Sequence, residues 1–334
     1  FEKIDLWRSL KKFSQPIERI KVEDRNYKRK IIFKNEINKK NLGYIINNTD
    51  IKKTILAKLK DKKNITIKKN SNFLSLENYQ DRIISIFDNY KIISKLVIAA
   101  DGKNSSVKQY LKTKTFSKNY SHSASVINFN HTKNHNNTAF ELFYKTGPLA
   151  ILPMKKINKN NFSSSIIWTN NQNYTKELLK IEKNLLKIIL EEKVFSYVGN
   201  ILKIHSIQTF PLSAHINSKF YSNRLIYIGD AAHSMHPIAG QGWNVGVRDI
   251  ENCLSTLEQS EKIGLDIGSV VNCKKYNNLC YSDSYSLYQI TDKLNSIFLS
   301  ENFLLDLTRY MGFKFLENNS FIKNRIANFA MGLK

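Results

Sequence analysis

The residues with the clearest chemical potential lie in one run from Arg224 to Asp249, RLIYIGDAAHSMHPIAGQGWNVGVRD. An acidic residue, Asp230, follows a short apolar segment, and a loop that contains Gly240 and Gly242 comes next. Glycines let a flat or charged ligand approach the backbone closely, and the N-terminus of a following helix stabilises negative charge. The spacing therefore favours binding of an anion, or of a ring that becomes anionic.

The elements that would position these residues are a strand, a loop and a helix. The segment 224–228 has the β-branched and aromatic residues typical of a buried strand. A carboxylate at its end, here Asp230, can accept hydrogen bonds from sugar-like hydroxyls. The helix is indicated by apolar residues at helical spacing, namely Trp243, Val247, Ile250, Leu254 and Leu257. On spacing alone, a strand-loop-helix crossover that binds no ligand is an equal alternative.

A second strand-to-helix junction has a similar character. Residues 96–100, LVIAA, form a continuous apolar run that is typical of a buried parallel strand. Asp101 and Gly102 end the strand, and a short helix capped at Asn104 or Ser105 is expected after them. A plain turn is the alternative because Asp-Gly pairs are frequent.

Composition narrows the class of protein. The 334 residues suffice for two domains, and no apolar run approaches the roughly 20 residues that a membrane span needs. The net charge is +24, but the lysines are scattered, which disfavours nucleic-acid binding and favours attraction to an anionic membrane.

The three cysteines form no CxxC motif, which fits a reduced compartment. No further ligands cluster near His233 and His236, so a structural or flavin-lining role is expected for them rather than a metal site.

The remaining pattern indicates a mixed α/β chain. Strands are expected at 17–22, 30–33, 65–67, 83–87, 123–129, 139–144, 150–153, 163–168 and 204–212. Helices are expected after a cap at Asn48 or Thr49, over 174–194, and through most of 263–334. Cys253 is expected in the core.

The string GDAAHSMHPIAGQGWNVGVRD resembles the flavin-binding signature of the aromatic-ring hydroxylases. It is most similar to that of the ubiquinone-biosynthesis hydroxylase family, whose fold group includes para-hydroxybenzoate hydroxylase. The resemblance implies that Asp230, which follows Gly229, contacts the ribitol of FAD. It also implies that a set of loop and helix residues lies along the pyrimidine side of the isoalloxazine, namely Pro237, Gly240, Gln241, Gly242 and Asn244.

Two further segments resemble the same family. ADGKNSSVK resembles its second motif, which implies cofactor contacts for Asp101 and Gly102, with Lys108 where the family usually has Arg. Lys keeps the charge but loses the bidentate fork of Arg. Residues 139–153, AFELFYKTGPLAILP, resemble the sheet that covers the aromatic substrate.

The function implied by the resemblance is that of an FAD-dependent monooxygenase. It hydroxylates the aromatic ring of a polyprenylated phenol in ubiquinone biosynthesis, with NAD(P)H and O2 as co-substrates, through a flavin C4a-hydroperoxide. The implied setting is cytoplasmic and peripheral to the inner membrane, within a ubiquinone-biosynthesis complex. No catalytic residue is assigned. The alternatives are a flavin-free, non-catalytic assembly partner at the membrane, and a different flavin reaction such as prenyl-chain reduction or halogenation.

The implied fold is α/β, a Rossmann-like FAD-binding domain with an inserted β-rich substrate domain and C-terminal helices. The expected segments are a substrate-domain hairpin at 1–40, FAD-binding parts at 41–115 and 214–284, a substrate-binding sheet at 116–213, and C-terminal helices at 285–334. Such a domain usually begins with a strand, GxGxxG and a helix, and no such pattern precedes Leu42. We interpret the sequence as a fragment, with loss of the ADP cradle as the alternative.

Overall fold

The structure, a computed structural model, describes residues 1–2, 4–25, 27, 29–34, 41–158, 161–299 and 303–330. The chain forms two compact units, each built from segments that are separate in sequence. Unit 1 comprises Phe1–Thr66, Tyr120–Leu212 and Ile297–Lys334, and unit 2 comprises Ile67–Asn119 and Ser213–Ser296. The assignment of the five sequence segments to ligand-binding domains stays a prediction.

The secondary structure is a mixture of strands and helices. The strands are β1 Gln15–Ile17, β2 Arg19–Asp24, β3 Arg29–Lys34, β4 Gly43–Ile45, β5 Phe73–Asn78, β6 Ile83–Phe87, β7 Lys91–Ser94, β8 Val97–Ala99, β9 Thr115–His131, β10 Thr138–Tyr144, β11 Gly147–Asn158, β12 Asn161–Asn171, β13 Ile201–Asn217, β14 Tyr221–Ser222, β15 Leu225–Tyr227 and β16 His233–Ser234. The helices are α1 Trp7–Leu10, α2 Asn48–Lys60, α3 Ser106–Tyr110, α4 Gln172–Leu178, α5 Lys183–Val198, α6 Gly242–Lys262, α7 Val270–Leu299, α8 Phe303–Asn318 and α9 Ser320–Ala330. Short 3-10 turns lie at Lys11–Phe13, Gly229–Ala231 and Pro237–Ala239.

Unit 1 is organised by one large sheet, in which the strand order is β13-β9-β12-β11-β10-β2-β3. The β10–β2 pair is parallel, whereas β9–β12, β12–β11, β11–β10 and β2–β3 are antiparallel. Side chains alternate between the two faces of a sheet, and α5 covers one face. The core on that face includes Ile127, Phe129, Leu142, Ile166 and Trp168 from the strands and Leu186, Leu190 and Val194 from α5. Each such buried side chain contributes about 1.5–3 kcal/mol.

Gly147 is required at the turn between β10 and β11. Its φ is +134°, and a Cβ at this position would overlap the backbone carbonyl oxygen of Thr169. We expect Gly147→Ala to lower the free energy of unfolding by about 2 to 3 kcal/mol, because backbone atoms must move. Chemical denaturation measures this. The control is Gly43→Ala in β4, where a Cβ would meet nothing within 4 Å; equal midpoints for the two variants would contradict the account.

Unit 2 contains two three-stranded sheets, β14-β15-β8 and β5-β6-β7. In the first, β8 and β15 are parallel neighbours, with Ala99 opposite Tyr227. Cys253 of α6 and Tyr276 of α7 are buried in the core that contains β15. The predicted core position of Cys253 is therefore confirmed. The parallel strand predicted at 96–100 is confirmed as β8, but its predicted burial is wrong, because β8 lies at the edge of its sheet and Ile98 is 46% exposed.

Several predicted elements differ from the structure. The helix predicted at 174–194 is two helices, α4 and α5, broken at 179–182. In one continuous helix the side chains of Leu178 and Leu186 would point about 80° apart, and the break lets both reach the same core. Residues 65–67 form no strand, because Ile65 and Ile67 have no neighbouring strand and are exposed.

Two smaller differences concern ends of elements. The cap of α2 is Asn47, whose side chain accepts from the Thr49 N–H at 3.0 Å, rather than Asn48 or Thr49. The strand predicted at 17–22 is divided between β1 and β2, since β1 pairs with β4 and β2 with β10 and β3. Within the described ranges, none of the helices combines the length and apolar character needed to cross a bilayer.

Candidate functional site

The structure brings the two motifs to one edge of a sheet in unit 2. Strands β8 and β15 run parallel, and the Ile228 N–H donates to the Ala99 carbonyl oxygen at 3.0 Å. Asp101 follows the end of β8 and Asp230 follows the end of β15. The carboxyl ends of parallel strands are where α/β sheets bind ligands. The edge with Asp101 and Asp230 is therefore the candidate site.

The turn after β15 is fixed to α6 by a buried carboxylate. Asp249 is 1% exposed, and its Oδ2 accepts from the Gly229 N–H at 3.0 Å and from His233 Nε2–H at 2.7 Å. Gly246 of α6 lies against Gly229, so that a Cβ on Gly246 would be 3.5 Å from the Gly229 Cα. These contacts set the direction in which Asp230 leaves the strand.

The sequence pattern did not identify Asp249 and Gly246 as positioning residues. Asp249 is the last residue of the motif, and a carboxylate on a helix is ordinarily a solvated side chain. The one feature of the sequence that could have indicated a role for Asp249 is that it closes this motif. His233 and His236 are used structurally, because His236 Nδ1 accepts from the Ile238 N–H at 3.3 Å. Within the described residues, no cluster of three or more His, Cys, Asp or Glu side chains could hold a metal ion.

The loop that contains Gly240 and Gly242 leaves the N-terminus of α6 uncovered by side chains. Gly240 has a φ of +59°, and Gly242 is the first residue of the 21-residue helix. A Cβ at either glycine would meet nothing within 4 Å. Gln241 precedes the helix without a side-chain cap, and its Oε1 accepts from Asn244 Nδ2 at 3.2 Å. The first N–H groups of α6 are thus available to a ligand, with the positive end of the helix dipole behind them.

These residues fit a flavin. The carboxylate of Asp230 is exposed, and it makes no hydrogen bond with the residues that the structure describes, so it can accept from ribityl hydroxyls. The uncapped N–H groups of α6 match the carbonyl oxygens and ring nitrogen of the pyrimidine edge. Pro237, exposed at the start of its turn, lies in the same loop. Direct contact of the predicted residues with FAD stays a prediction.

The second motif is tied to the first through Lys108. Lys108 Nζ donates to the Lys103 carbonyl oxygen at 3.0 Å and to His215 Nε2 at 3.2 Å. Burial lowers the pKa of Lys108. Asp101 Oδ2 accepts from the Val107 N–H at 3.3 Å, and Gly102 adopts a φ of +82° with open space around it.

His215 provides the link between the motifs. Its Nε2 accepts from Lys108 Nζ, and the backbone of Asp230 lies near enough to oppose the lowering of the pKa of its ring. Burial, followed by the charge of Lys108, lowers the pKa of His215 to about 4. The sequence predicted neither this contact nor a role for Lys108, because the partners are 107 positions apart.

The lowered pKa of His215 predicts a loss of stability in acid. Its folded pKa of about 4 lies below the ordinary 6.5, so the unfolded chain binds more protons between these values. Stability must fall as pH drops from 6.5 towards 4, by up to about 1.4 kcal/mol per pH unit for this group. Denaturant unfolding across this range should show a shallower pH dependence for His215→Gln than for wild type. Coincident slopes would contradict the assignment.

Comparison with known proteins identifies the family to which the chain belongs. The family model described as FAD binding domain matches residues 3–262. The ubiquinone hydroxylase UbiL of Rhodospirillum rubrum is 28% identical over 330 residues, which cover 98% of this chain and 76% of UbiL. The 3-demethoxyubiquinol 3-hydroxylase of Escherichia coli is 25% identical over 293 residues, which cover 87% of this chain and 73% of the Escherichia coli protein.

Solved structures share the fold. The p-nitrophenol 4-monooxygenase PnpA of Pseudomonas putida superposes with a TM-score of 0.74 at 13% identity, covering 99% of this chain and 85% of PnpA. Klebsiella pneumoniae HpxO, complexed with FAD and uric acid, gives a TM-score of 0.68 at 13% identity. The match covers 98% of this chain and 82% of HpxO. The predicted α/β fold class and the FAD cofactor are confirmed. Because the FAD binding domain model spans well over half of its residues, the chain belongs to that family.

Proposed function

We propose that this chain is an FAD-dependent monooxygenase that hydroxylates a phenolic intermediate of ubiquinone biosynthesis, with NAD(P)H and O2 as co-substrates. The observation that carries the proposal is the convergence of the two motifs at the carboxyl edge of β8 and β15. The names of the relatives support the reaction and the substrate class, since UbiL is a ubiquinone hydroxylase and the Escherichia coli relative a 3-demethoxyubiquinol 3-hydroxylase.

The chain's own residues bind and orient the cofactor. Bound FAD supplies the electron transfer and oxygen activation that side chains cannot. Asp230 accepts hydrogen bonds from the ribityl chain, and Asp249 holds the turn that presents Asp230. The N–H groups at the start of α6 stabilise negative charge at the pyrimidine edge. Gly240 and Gly242 keep the approach to the backbone open.

The substrate is a polyprenylated phenol, which the protein meets at a membrane surface. Support comes from α8, where Leu307, Met311 and Phe315 recur every four residues and are 44%, 60% and 57% exposed. Lys314 lies beside this stripe, and the whole chain carries a net charge of +24. An apolar stripe with basic residues favours binding to an anionic bilayer. The setting is the cytoplasmic side of the inner membrane, within a ubiquinone-biosynthesis complex.

The test of the reaction is oxygen labelling. The full-length protein, loaded with FAD, is incubated with NAD(P)H and ortho-prenylphenol under ¹⁸O2, and the product is analysed by mass spectrometry. We expect a ring-hydroxylated product with a single ¹⁸O atom. Oxidation of NAD(P)H without ring hydroxylation would contradict the proposal, and a protein that binds no FAD would favour the non-catalytic assembly partner.

A further inference from the structure

Glu141 occupies an unusual position in the large sheet of unit 1. It lies in the middle of β10, between Phe140 and Leu142, whose side chains belong to the core beneath α5. Because side chains alternate along a strand, Glu141 points to the opposite face. The pairing register continues across the sheet from Glu141 in both directions. The resulting row consists of Val22 on β2, Glu141 on β10, Ala150 on β11, Ile167 on β12 and Val126 on β9. One carboxyl group therefore stands in a row of four apolar side chains.

No charged neighbour compensates this carboxyl group. In the described part of the chain, Glu141 makes no hydrogen bond and no ion pair. Asp24 lies on β2, on the same face of the sheet as Glu141, and its Oδ2 forms an ion pair with Arg309 Nε at 2.9 Å. On the opposite face of β2, Lys21 lies over the Phe140 ring and Glu23 accepts from the Tyr197 hydroxyl at 2.6 Å.

By accessible surface Glu141 is half-buried, but it is enclosed by neighbouring protein atoms without a partner. This desolvation raises the pKa of its carboxyl group to about 8. An apolar residue at this position would remove the cost of desolvating the carboxyl group. Natural sequences keep such a local conflict chiefly at functional sites. A ligand that brings a hydrogen-bond donor to this face would supply the missing partner.

We propose that Glu141 is a substrate-binding residue that accepts a hydrogen bond from the phenol hydroxyl, an inference that rests on the proposed function. Ala150, the neighbour of Glu141 on β11, has a small side chain, and Val22 and Ile167 add apolar side chains to the same row. A hydrogen bond to a charged acceptor is stronger than one between neutral groups. It also shifts electron density from the hydroxyl into the ring, which makes the ring more reactive towards an electrophilic oxygen. Glu141 thereby selects a free phenol over a ring without a hydroxyl donor.

The test compares a phenol with its methyl ether, which lacks the hydroxyl donor and carries an additional methyl group; the Glu141→Leu variant controls for the effect of that methyl group. Equilibrium dialysis of the FAD-loaded, full-length protein measures the affinity for ortho-prenylphenol and for its methyl ether. We expect wild type to prefer the phenol by about 10- to 100-fold, and Glu141→Leu to bind the two ligands equally. The preference should grow in wild type as pH rises through about 8, the pKa of the carboxyl group. The matched control is Glu192→Leu on the exposed side of α5, which should keep the preference.

A stability measurement separates ligand binding from a structural role. Glu141→Leu should raise the thermal unfolding temperature of the ligand-free protein, because an unpartnered carboxyl group is replaced by an apolar side chain. A lower unfolding temperature, or an undiminished preference for the phenol, would overturn the role of Glu141 while leaving the hydroxylase intact. Wild-type protein that binds neither ligand would overturn the proposed function together with this inference.

Discussion

Replacing Asp249 by Ala is expected to lower the free energy of unfolding by about 3 to 5 kcal/mol. The substitution removes the acceptor shared by the Gly229 N–H and His233 Nε2–H. Asp249 and His233 are both 1% exposed, so water cannot readily replace the lost partner. The turn that presents Asp230 loses its link to α6, and FAD affinity should fall as well.

The matched control for Asp249 is Glu258→Ala, which removes an exposed carboxylate from the same helix. Urea unfolding of the FAD-free protein compares the two variants at one pH. Asp249→Asn keeps an acceptor oxygen at the site, so its loss should be smaller than that of Asp249→Ala. Equal midpoints for Asp249→Ala and Glu258→Ala would show that the buried carboxylate does not hold the turn.

Asp230→Ala is expected to weaken FAD binding by about 10- to 100-fold with little change in stability. Hydrogen bonds to a charged acceptor contribute about 1.5–3 kcal/mol, and each 1.4 kcal/mol is tenfold in affinity. The carboxylate of Asp230 is exposed and has no hydrogen-bond partner among the described residues. Its removal therefore leaves no buried group unsatisfied.

The measurement for Asp230 is a titration of the FAD-free protein with FAD, followed by flavin fluorescence, together with a thermal unfolding curve. Asp230→Asn retains one acceptor oxygen and should bind FAD with intermediate affinity. Two results would remove Asp230 from the site: wild-type affinity in Asp230→Ala, or a large loss of stability that explains weaker binding without direct contact.

Much of the sheet structure could be predicted from local pattern. The apolar run LVIAA and the run before Gly229 predicted the strands β8 and β15, which are parallel neighbours. Strand β15 is buried as expected, whereas Ile98 of β8 is 46% exposed. The cap of α3 at Ser105 was also predicted, and its side chain accepts from the Lys108 N–H at 3.0 Å. These features depend on residues that are adjacent in sequence.

Other features depend on contacts that no local pattern encodes. The alternation at 65–67 resembled a strand, but a strand needs a neighbour to receive its hydrogen bonds, and Ile65 and Ile67 remain exposed. Asp249 resembles a surface charge until α6 is placed against Gly229. Glu141 shows no unusual feature in sequence, because alternation of polar and apolar residues is ordinary in a strand. Only the register across five strands reveals that its neighbours are apolar.

The most direct test of the central claim is a crystal structure of the full-length protein with FAD bound. We expect the carboxylate of Asp230 to lie within hydrogen-bond distance of a ribityl hydroxyl, and the first N–H groups of α6 to face the pyrimidine edge of the ring. An isoalloxazine that lies away from Gly240 and Gly242, with Asp230 in contact with solvent alone, would contradict this expectation.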